Sequence, residues 1–306
     1  MQHSLRYMRK LRILFVLISV LVAGSTNAQA PDDYQHEIAD WHAKRIQELK
    51  EPNGWLNLVG LYWLEEGTSS FGSGPGNKVV FPPGTIAETA GQFERKGGKI
   101  KLIVADGVAI TVNGKPVREV VIYDQDSARQ PVVASGSLRW TIIRRDNKIG
   151  IRLRNLESPL VKQFTDIDRY PVDTSWRVRA TLQATGQPGR IAITNILGQT
   201  SQQSTPGKLV FSLHQKRYTL DALEEGDGLF IIFGDATSGK TTYPSGRFLT
   251  VSKPGPDGTT IIDFNKAYNP PCAFTNYATC PLPPPQNILP EAIAAGEKNY
   301  GSHGGK

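Results

Sequence analysis

The sequence is poor in the residues that carry most redox and metal chemistry: 306 residues include two cysteines, two methionines and five histidines. Two cysteines exclude a disulfide-dense scaffold. Seven residues separate Cys272 from Cys280, which lacks the C-x(2–4)-C form of a zinc site. There is no G-x-S-x-G, and His36, His42, His214 and His303 all lie away from the chain's most polar proline-rich stretch, so no serine–histidine pairing can be read. Basic charge is also thinner than the net +7 suggests. Arg6, Arg9, Lys10 and Arg12 are the only charged residues of the first thirty, and without them the balance is +3. That excludes a strongly basic nucleic-acid surface, and no nucleic-acid module is visible.

The first thirty residues stand apart from the rest. A basic segment, the apolar run Ile13 to Ala23 and the small residues around Ala28 and Ala30 have the layout of a signal peptide, with cleavage expected after Ala28. An uncleaved N-terminal anchor is the rival reading. Export predicts a periplasmic or secreted protein with no membrane association after cleavage. In that compartment Cys272 and Cys280 read as one disulfide closing a short loop, worth about 2.5 kcal/mol by chain entropy. A metal-thiolate or redox pair is the alternative. No cofactor or metal is expected, and the oligomeric state is not readable.

Beyond the leader, periodicity predicts an all-β protein: two consecutive antiparallel β-sandwich-like blocks behind a short N-terminal helix. The helix is expected from Asp32 or Asp33, as a cap, to Pro52, with Tyr34, Ile38, Trp41, Ile46 and Leu49 near one face. Residues 31–67 form this helix and an aromatic lead-in, where Trp55 and Trp63 are read as core residues over a ligand platform. Residues 68–157 carry short β-rich runs separated by Asp106-Gly107, Asn113-Gly114 and Asp146-Asn147 turns; Ile149, Ile151 and Leu153 alternate with Arg152 and Arg154. Residues 158–300 hold a crossing segment and then further strands from Trp176 onward.

Gly234 to Thr241 spells G-x-x-x-x-G-K-[ST], the phosphate-loop pattern. The physics of that loop needs a helix opening at Lys240, and Pro244-Ser245-Gly246 forbids one. A polar connection between strands is the better reading. In the first block, Phe71-Gly72, Asn77 to Phe81 and Val112-Asn113-Gly114-Lys115 resemble the forkhead-associated sandwich. Ser73 and Ala90-Gly91-Gln92 replace that family's phosphate-reading Arg and Ser, so the resemblance implies a shape and not phosphothreonine binding.

Two further segments belong together: Phe233-x-Asp235-x-Thr237-x-Gly239-x-x-Thr242-Tyr243-x-x-Gly246-Arg247, and Asp263-Phe264-Asn265-x-Ala267-Tyr268-Asn269-Pro270-Pro271-Cys272. With Trp41-x-x-x-Arg45, Gly54-Trp55-Leu56 and Cys280-Pro281-Leu282-Pro283-Pro284, they resemble the bacterial family called domain of unknown function 1684. That family's pattern has Glu where this chain has Gln286, and it brings no established activity. From the residues themselves, Thr237, Tyr243, Arg247, Asn265, Tyr268 and Asn269 are the candidate ligand-binding set, with Arg247 as a bidentate clamp for a small polar or anionic partner. Asp235 and Asp263 are the candidate catalytic pair of a carboxylate- or metal-dependent hydrolase, with Glu297 as a further carboxylate. The third reading makes Asp235, Arg247 and Asp263 a buried ion-pair network with no small-molecule site.

Overall fold

A computed structural model of the chain describes residues 31–127 and 129–301; the predicted leader and His303 lie outside the described residues. Helix α1 (Asp32–Lys50) opens the fold. Pro31 occupies its N-cap position and no side chain caps it, so Asp32 and Asp33 serve as first-turn acids against the helix dipole and not as the expected cap. Ile38, His42 and Leu49 are its buried face. The lead-in then forms β1 (Leu58–Leu64), followed by β2 (Gly67–Gly72), β3 (Val79–Val80), β4 (Gly91–Lys96) and β5 (Lys99–Val104). Next come β6 (Thr111–Val112), β7 (Lys115–Pro116), β8 (Glu119–Asp124), β9 (Val133–Ser135), β10 (Leu138–Arg145) and β11 (Lys148–Asn155).

These strands make two sheets, β1-β11-β10-β9-β6-β7 and β3-β2-β4-β5-β8, facing each other as a sandwich. Phe71 and Phe93 stack from one sheet at 4.3 Å, and Trp140 meets Phe81 edge-on at 5.5 Å. The predicted alternation holds on β11: Ile149, Ile151 and Leu153 are in this core, which sends Arg152 and Arg154 to the outer face. Strand β1, expected only as extended lead-in, pairs with β11 from Leu58 opposite Arg154 to Leu64 opposite Ile149. Its aromatic content masked the period-two signal.

A short helix α2 (Pro159–Gln163) crosses to the second block, which is built from β12 (Arg177–Thr194), β13 (Thr200–Leu213), β14 (Lys216–Glu225), β15 (Gly228–Phe233), β16 (Arg247–Ser252) and β17 (Thr259–Asp263). They form one antiparallel sheet in the order β16-β15-β14-β13-β12-β17. The sheet curls until its two end strands approach, and Thr260 Oγ1 donates to Ser252 O at 2.8 Å. Both faces of β15 are apolar because both are covered: Leu229, Ile231 and Phe233 point into the curl, while Phe230 and Ile232 point outward under α1 and the C-terminal loop. The polypeptide from 264 to 300 has no long regular element. It closes one end of the curl with Leu289, Ile293 and Ala295 and covers the outside with Ala273 and Phe274. Cys272 and Cys280 are joined by a disulfide in this segment, with 6.1 Å between their Cα atoms. Among the described residues no helix is long and apolar enough to cross a membrane.

Candidate functional site

The two motif segments meet at the closed end of the curled sheet, and α1 lies across them. Arg247 begins β16 and is fully buried. Its Nη2 donates to Asp235 Oδ2 at 2.9 Å and to Ile293 O at 3.0 Å, and its Nη1 donates to Ala295 O and, at 3.3 Å, to Glu297 O. The guanidinium also faces the Phe233 ring at 5.4 Å. Burial pushes Arg247 below its ordinary pKa, and the Asp235 carboxylate opposes that shift. Asp235 is saturated in turn: Oδ1 accepts from Thr237 N at 2.8 Å, Thr237 Oγ1 at 2.5 Å and Ile293 N at 3.2 Å. The clamp expected to hold a ligand therefore holds the chain's own C-terminal carbonyls. The sequence made it legible as a clamp for a polar or anionic ligand or as part of an ion-pair network; that its donors would meet backbone carbonyls was not legible.

Two glycines permit this approach. Gly246 has φ +85°, and a Cβ there would strike Phe233 O; Gly296 has φ +76° and lies against Ala267 O and Phe264 O.

A second node surrounds Asp263 at the end of β17. Tyr34 of α1 donates its hydroxyl to Asp263 Oδ1 and Oδ2, both at 2.8 Å. Asn265 donates from its backbone N to Asp263 Oδ1 at 3.1 Å and from Nδ2 to Asp173 O at 2.8 Å, and accepts from Asp173 N at 3.1 Å. Burial first, and then the Asp263 carboxylate, push the Tyr34 phenol far above its ordinary pKa. Asp263 and Asp235 share no hydrogen-bonding partner, so the acid–base pair suggested by the sequence is two carboxylates in two separate networks.

The third node ties α1 to the chain end. Arg45 Nε donates to Glu297 Oε1 at 3.4 Å and Arg45 Nη2 to Asn269 O at 3.0 Å, while Asn269 N donates to Glu297 Oε2 at 2.7 Å. Asn269 Nδ2 reaches Lys298 O at 2.7 Å. Glu297 is buried, and burial raises its pKa against the opposing pull of Arg45 and the Asn269 N–H. One helical turn before Arg45, buried His42 contacts Asp166 at 2.6 Å. Tyr268 lies under Arg45 at 4.6 Å and 6.4 Å from Trp41, lining a small cavity of about 190 Å³ with Arg45 and Thr250. Tyr243 is buried beneath the loop, where desolvation raises its phenol pKa. Thr237 contacts Thr242 at 2.8 Å, and the Gly234 to Thr241 segment runs through turns into β16 with no helix at Lys240.

Tyr34 and His42 were absent from the sequence-derived site. The signal for them was positional: they lie on the same helix face as Ile38 and Leu49, which has to pack somewhere.

A larger cleft opens away from these nodes. It measures about 490 Å³ and lies where the β10–β11 hairpin meets β13, β14 and the Thr279–Pro281 end of the C-terminal loop. Its charged lining is Arg144, Arg145 and Asp146 from the hairpin and Glu224 and Glu225 from β14, with Asn195 and Gln203 as polar neighbours. None of these five charged side chains is in an ion pair among the described residues.

Comparison with known proteins adds relatives without an assigned activity. An uncharacterized protein of Haloarcula marismortui, solved in solution, is 30% identical over 45% of this chain and 78% of its own, with a TM-score of 0.37. The FhaA FHA domain, solved with the intracellular domain of Rv3910, is 19% identical over 31% of this chain and 97% of its own, with a TM-score of 0.22. An FHA domain from a structural and functional analysis of phosphothreonine-dependent FHA domain interactions gives the same identity and score over 92% of its length. No curated protein matches the chain. The model of the family described as protein of unknown function, DUF1684, matches residues 162–298, which contain the motif loops and all but the helical side of the three nodes, and the chain belongs to that family.

Proposed function

We propose that this is an exported binding protein that takes a small polar ligand in the cleft between its two β blocks, with the motif loops serving as the frame that holds the cleft walls in place. The leader-like N-terminus and the Cys272–Cys280 disulfide support export to the periplasm or beyond. The protein partners of Asp235, Asn265, Asp263 and both Nη atoms of Arg247, whose Nε alone is buried without one, support reading the motif as an internal frame.

The observation that carries the ligand reading is the contrast in charge use. In the frame Arg247 pairs with Asp235 and Arg45 with Glu297, and Asp263 is held by the Tyr34 hydroxyl and Asn265; in the cleft, Arg144 and Arg145 face a volume shared with Glu224 and Glu225 without pairing to them. The volume is within the range of small-molecule sites, and sites of this kind favour domain junctions. A compact dipolar molecule, with an acidic group toward Arg145 and a cationic or donor group toward Glu224, matches the walls. A hydrolase built on Asp235 and Asp263 draws no support from the geometry, because each carboxylate is committed to different protein donors.

The test is thermal-shift and calorimetric screening of the full mature chain against amino acids, dipeptides and other small zwitterions. A hit should weaken in both Arg145→Ala and Glu224→Gln, which lie on exposed positions and leave the fold intact. A hit indifferent to both substitutions, or no hit at all, removes the cleft as the binding site.

A further inference from the structure

A separate cavity of about 370 Å³ lies on the outer face of the first block, over β10 and β11. Arg139, Arg152 and Arg154 line it together with apolar Val132, Leu156 and Pro52, and no acidic residue is among its walls. The local pattern explains why three guanidiniums meet. Arg152 and Arg154 alternate with core residues on β11, and Arg139 lies directly opposite Arg154 across the antiparallel pair, so all three project from the same face.

Their hydrogen bonding is uneven. Arg154 Nη1 donates to Gly54 O and to Asn57 Oδ1 at 2.7 Å, and Arg139 Nη1 donates to Gly136 O and Leu138 O. Arg152 donates to nothing among the described residues, and its Nε is buried without a partner. None of the three forms an ion pair there. The Trp55 ring lies over both β11 arginines, 5.5 Å from Arg152 and 5.7 Å from Arg154, which removes water from the cations while supplying no countercharge. Burial, with Arg145 and Arg154 as cationic neighbours, pushes the Arg152 guanidinium down to about 10. A partly desolvated cation among cations is a poor structural choice unless something negative completes it.

We propose that this cavity binds an amphipathic organic carboxylate, its head group taken in bidentate fashion by Arg152 and its hydrocarbon or aromatic body packed on Val132, Leu156 and the sheet. A planar fork with free donors matches a carboxylate, and the volume suits a small molecule and not a polymer. Trp55 does not line the cavity; it stacks against Arg152 and Arg154 and backs the guanidiniums that do. This site shares no lining residue with the inter-block cleft, and its test is independent of that reading.

The probe is octanoate, titrated into the full mature chain and followed by calorimetry and by tryptophan fluorescence, since Trp140 lines the cavity and Trp55 stacks on its Arg152. Acetate and octylammonium test the body and the head separately, and benzoate distinguishes an aromatic from an alkyl source. Saturable octanoate or benzoate binding is expected, with acetate weaker and octylammonium absent. Arg152→Gln should weaken the best probe by about tenfold or more, the loss of one charge-assisted contact. Val132→Asp, at a position already 44% exposed, places a carboxylate at the rim without disturbing the core and should abolish binding. No saturable carboxylate binding, equal binding of octylammonium, or unchanged affinity in Val132→Asp overturns the proposal.

Discussion

Arg247 and Arg152 are both arginines withdrawn from water by neighbouring aromatic rings, and they differ in what stands opposite them. Arg247 faces Phe233, and its two Nη atoms meet one carboxylate and three backbone carbonyls from the last thirty residues of the chain, while its Nε, like that of Arg152, is buried without a partner. Arg152 faces Trp55 and has cations for charged neighbours and no acceptor. A buried charge whose partners are all supplied by the fold is part of the architecture, because the desolvation cost is offset inside the molecule. A half-buried charge left unmatched keeps that cost open, and a ligand of opposite sign lowers it. The motif that draws the eye in the sequence is the first kind, and the inconspicuous alternation on β11 is the second.

The largest expected effect breaks the matched side. Arg247→Met keeps the side-chain length but strands the Asp235 carboxylate, and should cost about 3–5 kcal/mol in urea unfolding. Adding Asp235→Leu to that variant should recover part of the loss; additivity of the two single effects would show that the residues do not act as a pair. Tyr34→Phe removes one donor from Asp263 and should cost about 1–3 kcal/mol, because a buried acceptor loses a partner. A cost near zero would detach α1 from the frame.

The third test is a pH trend. Burial raises the Glu297 pKa above 4.5, so its contribution to stability is complete below that value and is lost as pH rises through the folded-state pKa. The stability of the natural protein relative to Glu297→Gln should therefore fall between acid and neutral pH; a difference that grows with pH would mean Arg45 and the Asn269 N–H outweigh burial. The smallest effect belongs to the unmatched side. Arg152→Gln should change stability by no more than about 0.5 kcal/mol, with relief of cation crowding favouring the variant. A loss as large as that of Arg247→Met would erase the distinction between the two arginines.

The all-β class, the helix limits and the turn positions were readable because each depends on local chemistry: period-two alternation, Pro52-Asn53-Gly54 as a stop, and Gly-containing turns. The pairing of β1 with β11 was not, since aromatic residues at consecutive positions obscure alternation. For the candidate site, that Asp235, Arg247, Asp263, Asn265 and Asn269 would sit at strand ends and in the motif loops was readable, but the structure divides them among three separate nodes. Their orientation was not readable. Whether an arginine at a strand start points to a ligand or to residues 293–297 depends on where a segment without regular structure returns, and no local rule states that.

Sequence alone determined the family motif, the cysteine pair and the alternation that put Arg152 and Arg154 on one face of a strand, all of which follow from residue type and short spacing. Only the tertiary structure decided that Arg247 is sealed by the chain's own carbonyls, that Tyr34 and Arg45 of the first helix complete the C-terminal nodes, and that Trp55 lies over cations with no acid nearby. The physical reason is the same in each case: hydrogen bonding and charge pairing act over a few ångströms, and residues up to 252 positions apart come within that range only when the chain has folded.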